Sequence, residues 1–282
     1  MIQKVGVIGL GTMGAGIAQV CAQAGFDTVG REVNDELTER GRATIDHYLS
    51  RGVEKGRMTQ EEKDATLGRL TLATDLDALA DCDLVIEAVI EDIATKTAVF
   101  KELDSLLRSD AILATNTSAL SVTEIADSTS RPERVVGMHF FNPAPVLKLV
   151  EVVRTAHTSD EAFDAAFDFA QRLGKEPIAC NDTPGFVVNR ILIPLLNDCV
   201  RVIDEARVAP EDVDRAMKFG ANWPIGPCAL IDLIGVDIHV HASEALAAAL
   251  GEERMAPPPR LLKMLEEGNL GRKSGEGFFR YG

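Results

Sequence analysis

The sequence predicts an α/β fold, a doubly wound sheet with a helical hairpin insertion, followed by an all-α C-terminal domain. Three observations carry this reading. Short apolar, β-branched runs alternate with helix-forming stretches through the first part of the chain. A long polar, helix-forming stretch at 34–69 interrupts the alternation. Beyond residue 184 the helical patterns continue with no convincing strand until the last residues. Strands that alternate with helices build a parallel sheet covered on both faces.

The elements follow in order. Residues 2–8 (IQKVGVI) form an apolar run closed by glycine and read as a buried strand. Residues 13–24 (MGAGIAQVCAQA) look helical and stop at Gly25, and a second strand lies near 26–31. The stretch 34–69 reads as a helical hairpin turning near Gly52–Gly56. Further strands are expected at 83–88 (DLVIEA), 111–115 (AILAT), 135–139 (VVGMH) and 149–153 (LVEVV), with helices such as 92–107 and 159–173 between most of them. A strand-like run, KEPIAC, precedes NDTPGF, where Pro184 and Gly185 break the pattern. This places domains at 1–183 and 184–282. The Pro-rich APPP at 256–259 is a local break between helices.

Bulk properties narrow the function. The 282 residues suffice for a core that needs no staples. A net charge of −15 repels nucleic acid and anionic membranes, so neither is an expected partner, and an anionic substrate would need a local basic patch. The five cysteines are scattered and never spaced as CxxC, which argues against a disulfide framework or a metal site and fits a reducing cytoplasmic location. No basic leader and no apolar run near 18 residues is seen, so neither a secretion signal nor a membrane span is expected.

The first turn reads Gly9-Leu-Gly11-Thr12-Met13-Gly14, between a strand and a helix, which is the context a dinucleotide fingerprint requires. The first glycine permits the tight turn, the second lets backbone approach a pyrophosphate, and the third lets helix and strand pack closely. Amide N–H groups at the helix start then face the phosphates. The second strand should end in an acid for the ribose 2′-OH, and Glu32 stands there, 18 residues past Gly14. Arg31 beside it could accommodate a 2′-phosphate. The Glu32 carboxylate would repel that phosphate, so NAD is the expected cofactor.

Among the five histidines, His139 is distinctive because it ends a strand, and doubly wound folds place their chemistry at the carboxyl ends of strands. His239 and His241 are two apart and do not share a helical face, so they form no metal pair. Twelve residues beyond His139, Glu151 lies inside the apolar strand KLVEVVRT. A carboxylate there is expensive unless paired. If the NPAPVLK turn brings the two segments together, the carboxylate fixes one ring nitrogen and makes the other a general base. Ser118, after another strand end, offers a hydroxyl, and Asn116, Asn142 and Asn189 offer amides.

These residues, with VIGLGTMGAGIAQ, DLVIEAVIED, ATNTSALSVTEIA, GMHFFNPAPVLKLVEVV, PGFVVNRILIPLLN and GRKSGEGFFRY, make the chain resemble the L-3-hydroxyacyl-CoA dehydrogenase family, in its short bacterial 3-hydroxybutyryl-CoA form, over essentially its whole length. The resemblance implies a Rossmann-like domain, a helical domain that usually forms a homodimer, and an acyl-CoA substrate. It implies His139 as acid/base, Glu151 as its orienting partner, Ser118 and Asn189 on the reacting oxygen, and Asn142 positioning substrate and nicotinamide. It also implies cofactor contacts at Glu91, Lys96 and Lys273, and coenzyme A phosphate contacts at Arg51 and Lys55. Two departures stand out: Glu32 replaces the usual aspartate, and Arg51 stands where a close relative would often have lysine.

Two rival readings share the fold. One is a hydroxyacid or sugar-acid dehydrogenase of the gulonate type, against which the basic residues Arg51 and Lys55 argue. The other is a non-catalytic NAD-binding protein, against which the intact His139–Glu151 pair argues.

Overall fold

The KVGVI run forms β1 (Lys4–Ile8), and α1 (Thr12–Gln23) follows it at once, with nine buried residues packed on the sheet. In the computed structural model, which describes residues 1–282, the chain then runs β2 (Asp27–Arg31), α2 (Asp35–Glu54), α3 (Gln60–Gly68), β3 (Leu70–Ala73), β4 (Leu84–Glu87), α4 (Ile93–Leu106), β5 (Ile112–Thr115), α5 (Val122–Ala126), β6 (Val135–Phe140), β7 (Leu149–Arg154), α6 (Asp160–Arg172) and β8 (Glu176–Asn181). These strands form one eight-stranded sheet in the order β3-β2-β1-β4-β5-β6-β7-β8. β1, β4 and β5 are buried on both faces and therefore read as continuous apolar runs, not as alternating ones. The C-terminal ends of β1 and β4, adjacent in the sheet, carry the first glycine turn and Glu87.

The hairpin insertion is α2 and α3. Its turn spans Lys55–Thr59, and Gly56 takes the left-handed conformation there, at φ +64°. Gly52 lies inside α2, so the turn is later than its glycines suggested. α3 starts on a capping box between Thr59 and Glu62, which satisfies two backbone amides reciprocally.

Two features differ from the sequence reading. β3 was not foreseen: it is a four-residue edge strand, only partly buried, and too short to show a period. The sheet is also not wholly parallel. β6 and β7 are antiparallel, and β8 pairs parallel to β7. The connection between β6 and β7 covers only residues 141–148 and contains no helix. A parallel return needs a crossover of a dozen or more residues, so a link this short can only fold back.

Contacts divide the chain into Met1–Thr183 and Pro184–Gly282. The second unit is α7 (Val188–Glu205), α8 (Pro210–Gly220), α9 (Pro227–Ile234), α10 (Val236–Leu250) and α11 (Pro259–Glu266). Its core joins Leu196 and Val200 of α7 to Ile231, Val236, Val240 and Leu261. No single helix in the chain is long and apolar enough to cross a membrane. The tail is held by the buried Asp232 carboxylate, which accepts the Phe278 and Phe279 amides at 2.9 and 3.0 Å and the Tyr281 hydroxyl at 2.9 Å.

Between α7 and α10 lies a buried polar cluster. Asn197 Oδ1 is 2.8 Å from His239 Nε2, and its Nδ2 donates to the Met255 carbonyl at 3.0 Å and to Ser243 Oγ at 3.3 Å. Burial pushes the His239 imidazole down from 6.5 to about 4. Between those values the unfolded chain binds a proton that the folded chain excludes. Stability is therefore full above pH 6.5 and falls as the pH drops toward 4. The urea midpoint should fall from neutral to mildly acidic pH, with a shallower fall in His239→Gln even though that variant is less stable at neutral pH. Equal slopes would show that His239 does not set the acid sensitivity.

Candidate active site

The ends of β1, β4, β5 and β6 build the site of the first unit. At the end of β1, Gly9 has φ +83°, and a Cβ there would lie 2.8 Å from the Ala88 carbonyl oxygen. A Cβ on Gly14 would lie 1.7 Å from the Gly9 carbonyl oxygen, so this glycine is demanded by packing. A Cβ on Gly11 would meet nothing within 4 Å. That position therefore faces open space, and packing does not require its glycine. α1 begins there with no side-chain cap and no acidic residue in its first turn. Its leading amides, from Thr12 to Gly14, have no partner within the helix and suit an anion. Glu32, just past β2, accepts the Leu10 amide at 2.6 Å and the Val33 amide at 3.0 Å. Those bonds fix the carboxylate beside the glycine turn. Arg31 Nε donates to the Thr74 carbonyl at 3.2 Å. Open backbone, free helix-start amides and an adjacent carboxylate fit a dinucleotide with an unmodified ribose.

At the ends of β4 and β5, Glu87 is fully buried. Its Oε1 accepts from Lys96 Nζ and the Val89 amide, each at 2.7 Å, and its Oε2 accepts from Thr115 Oγ1 at 2.7 Å. The same Lys96 ammonium lies 3.3 Å from Glu91 Oε2. Glu91 Oε1 in turn accepts from Thr117 Oγ1 at 2.6 Å, the Ser118 amide at 2.7 Å, Ser118 Oγ at 3.2 Å and the Ala119 amide at 3.2 Å. Burial pushes the Glu91 carboxyl up, but the Lys96 ammonium and the bonds from Thr117 and Ser118 outweigh it and hold the group below its ordinary value.

At the end of β6, His139 stands directly across the antiparallel ladder from Glu151 of β7. Such opposed residues have Cβ atoms about 5 Å apart, near enough for these side chains to meet. His139 Nδ1 and Glu151 Oε2 are 2.7 Å apart, with both side chains buried. An ionised carboxylate only accepts, so Nδ1 carries the proton and Nε2 offers its lone pair. The Phe141 ring lies 4.4 Å from the imidazole centre. Asn116 Oδ1 accepts the Phe140 amide at 2.9 Å and so ties β6 to the end of β5. Asn142 follows on the exposed β6–β7 loop. That loop is clasped from below by buried Lys175, whose Nζ donates to the Ala144 and Leu147 carbonyls. Burial pushes the Lys175 ammonium down from its ordinary value.

The remaining predicted positions belong to the hairpin and to the second unit. Arg51 is in the last turn of α2 and Lys55 caps that helix, both exposed. Lys63, a further cation of the hairpin, is tied instead to Asp46 and Ser50, each at 2.7 Å. Asn189 is in the first turn of α7. Lys273, in the C-terminal tail, donates to Asp237 Oδ2 at 2.6 Å. The sequence reading missed Glu87, Thr115, Thr117 and Lys175. Glu87 was visible by the rule that exposed Glu151, a carboxylate inside an apolar strand (DLVIEA). The others carry no local signal.

Fold and site together define a dinucleotide-dependent oxidoreductase with a helical second domain. Residues 4–183 match the NAD binding domain of 3-hydroxyacyl-CoA dehydrogenase, and residues 185–281 match its C-terminal domain. The chain belongs to the 3-hydroxyacyl-CoA dehydrogenase family. It is 46% identical over 278 residues to a Deinococcus radiodurans protein named "Probable 3-hydroxybutyryl-CoA dehydrogenase", covering 99% of this chain and 100% of that one. It is 45% identical over 282 residues to the 3-hydroxybutyryl-CoA dehydrogenase of Mycobacterium tuberculosis, covering 99% of each. The crystal structure of (S)-3-hydroxybutyryl-CoA dehydrogenase from Ralstonia eutropha superposes with a TM-score of 0.96 at 41% identity, covering all of both chains.

The glycine geometry separates fold from binding. Gly11→Ala should leave the urea midpoint unchanged and weaken NADH binding at least tenfold, about 1.4 kcal/mol, because its methyl fills the open cradle. Gly14→Ala should cost about 1–3 kcal/mol of stability by overpacking. Denaturation and fluorescence titration of both variants check this. An unaltered NADH affinity in Gly11→Ala would move the cofactor away from this turn.

Proposed function

We propose that the enzyme oxidises (S)-3-hydroxyacyl-CoA thioesters, 3-hydroxybutyryl-CoA foremost, to the 3-keto form and catalyses the reverse reduction. The observation that carries this is the buried 2.7 Å contact between His139 Nδ1 and Glu151 Oε2. Bound NAD supplies hydride acceptance at the substrate carbon. It would be held by the Gly9–Gly14 turn, Glu32 and Asn116, with Glu91, Lys96 and Lys273 as further contacts by resemblance. His139 takes the proton of the 3-hydroxyl at Nε2, and Glu151 stabilises the imidazolium so formed. In reduction His139 Nε2 returns that proton to the 3-oxygen. Ser118 donates its hydroxyl to the reacting oxygen, and the roles the resemblance implies for Asn142 and Asn189 complete the set.

The first test follows NADH absorbance, starting from NADH with acetoacetyl-CoA, from NAD+ with gulonate, and from each cofactor with no added substrate. Consumption with the thioester alone is expected, and a preference for gulonate would overturn the assignment. His139→Gln should lose roughly 10²–10⁴-fold in turnover while NADH binding persists, because the glycine turn is untouched. Turnover within about threefold of wild type would remove His139 from the mechanism.

The substrate's nucleotide end is assigned to the hairpin. Within a chain of net charge −15, Arg51, Lys55 and Arg57 cluster around its turn, and the hairpin's Lys63–Asp46 bridge does not use them. Arg51→Ala combined with Lys55→Ala should raise KM for acetoacetyl-CoA several-fold with little change in kcat, since exposed contacts of this type are worth roughly 1 kcal/mol each. The pantetheine thioester, which lacks the nucleotide, should be unaffected. Equal losses on both substrates would assign these residues to the fold. We further propose a homodimer formed through the second unit, whose exposed Ile191, Phe219, Leu233 and Ile238 support it.

A further inference from the structure

We infer that Glu87 is a positioning residue for the reaction, acting through Lys96 and Glu91 to hold the Ser118 turn in its working conformation. The inference rests on the role proposed above for Ser118.

The bonds run in one direction. Glu87 is anchored to the sheet, since it ends β4 and is directly opposed by Thr115 of β5 in the ladder. Its carboxylate is fully buried and meets three donors, from Lys96, Val89 and Thr115. Lys96, only 1% exposed, brings its ammonium between Glu87 and Glu91. Glu91 sits at the mouth, 38% exposed, and gathers the hydroxyl of Thr117, the amide and hydroxyl of Ser118 and the amide of Ala119 on a single oxygen. Four of the hydrogen bonds that shape the Ser118 turn thus converge on one carboxylate oxygen, and Thr117 Oγ1, bonded to that oxygen, accepts the Leu120 amide at 2.9 Å. The other oxygen of that carboxylate faces an ammonium whose position is set by a second, buried carboxylate.

Charge explains why the anchor is needed. With Glu87 ionised, the Lys96 ammonium sits between two anions and is held short of Glu91, at 3.3 Å against 2.7 Å to Glu87. Removing the Glu87 charge leaves Glu91 as the ammonium's only anionic partner. Lys96 then closes on Glu91 and draws its carboxylate away from the Ser118 turn. Lys96 is therefore engaged inside the protein, and its burial follows from this bridging role.

A double-mutant cycle with acetoacetyl-CoA tests the inference, because residues acting as one unit show losses that do not add. Glu87→Gln keeps the shape and removes the charge. It should lower kcat about tenfold in the native background, the worth of one well-placed hydrogen bond, and by less than about twofold when Ser118→Ala is already present. Hydrogen exchange supplies a readout apart from activity: the amides of residues 116–120 should exchange several-fold faster in Glu87→Gln, while β1 and β6 keep their protection. Thr115→Val removes one of the three donors to Glu87 at constant volume. It should show the same pattern at smaller size, and it stands in if Glu87→Gln does not fold. Losses that multiply in the two backgrounds, or exchange that rises throughout the sheet, would make Glu87 a packing residue and overturn the inference. Wild-type enzyme that fails to turn over acetoacetyl-CoA would instead overturn the underlying assignment, and this inference with it.

Discussion

A carboxylate sealed from water survives ionised only where donors reach its oxygens, and the first unit seals two of them in one sheet, on strands β4 and β7. Glu87 and Glu151 are both fully buried. Each sits at or near the edge of the sheet where strands end, and each is met at 2.7 Å by a group that carries or can carry positive charge, Lys96 and His139 respectively. Leaving either partner out would strand a buried charge, at a cost of several kcal/mol. The sheet, not the loops, therefore dictates where the His139 imidazole and the Ser118 turn stand.

The antiparallel pairing of β6 and β7 is what makes this possible for His139. In register, residue 139 faces residue 151 across the ladder, and the same ladder sets Phe140 against Val150 on the opposite face. A slip by one residue would turn Glu151 to the other side of the sheet and leave the imidazole without its partner. Asn116 and Lys175 secure the ends of this hairpin through backbone groups. Rigid strands with side chains locked by neighbouring hydrogen bonds suit proton transfer, in which small errors of placement are costly.

The cofactor side obeys a different logic. There the protein withholds side chains: Gly11 leaves space, Gly9 and Gly14 let strand and helix approach each other, and α1 starts without a cap. Unsatisfied amides at a helix start are a liability in an empty structure and an asset when an anion occupies them. Glu32, held by the Leu10 amide, is the carboxylate that stands beside this turn of bare backbone.

Much of this was legible from residues alone. The glycine spacing, the alternation of apolar runs, the polar hairpin and the Pro184–Gly185 break follow local rules of backbone conformation and burial, and these act over a few residues. Glu151 announced itself by its cost in an apolar strand, and Glu87 obeys the same rule in DLVIEA. The tertiary structure alone decided what depends on partners distant in the chain. The direction of β7 was settled by the length of the β6–β7 link. The short edge strand β3 exists because β2 offers it an open ladder. The bridging place of Lys96 between Glu87 and Glu91, and the service of Thr115, Thr117 and Lys175, arise from contacts across the sheet. A threonine or lysine carries no local mark of such a duty, because its hydrogen-bonding capacity is equally well met by water until packing removes that choice.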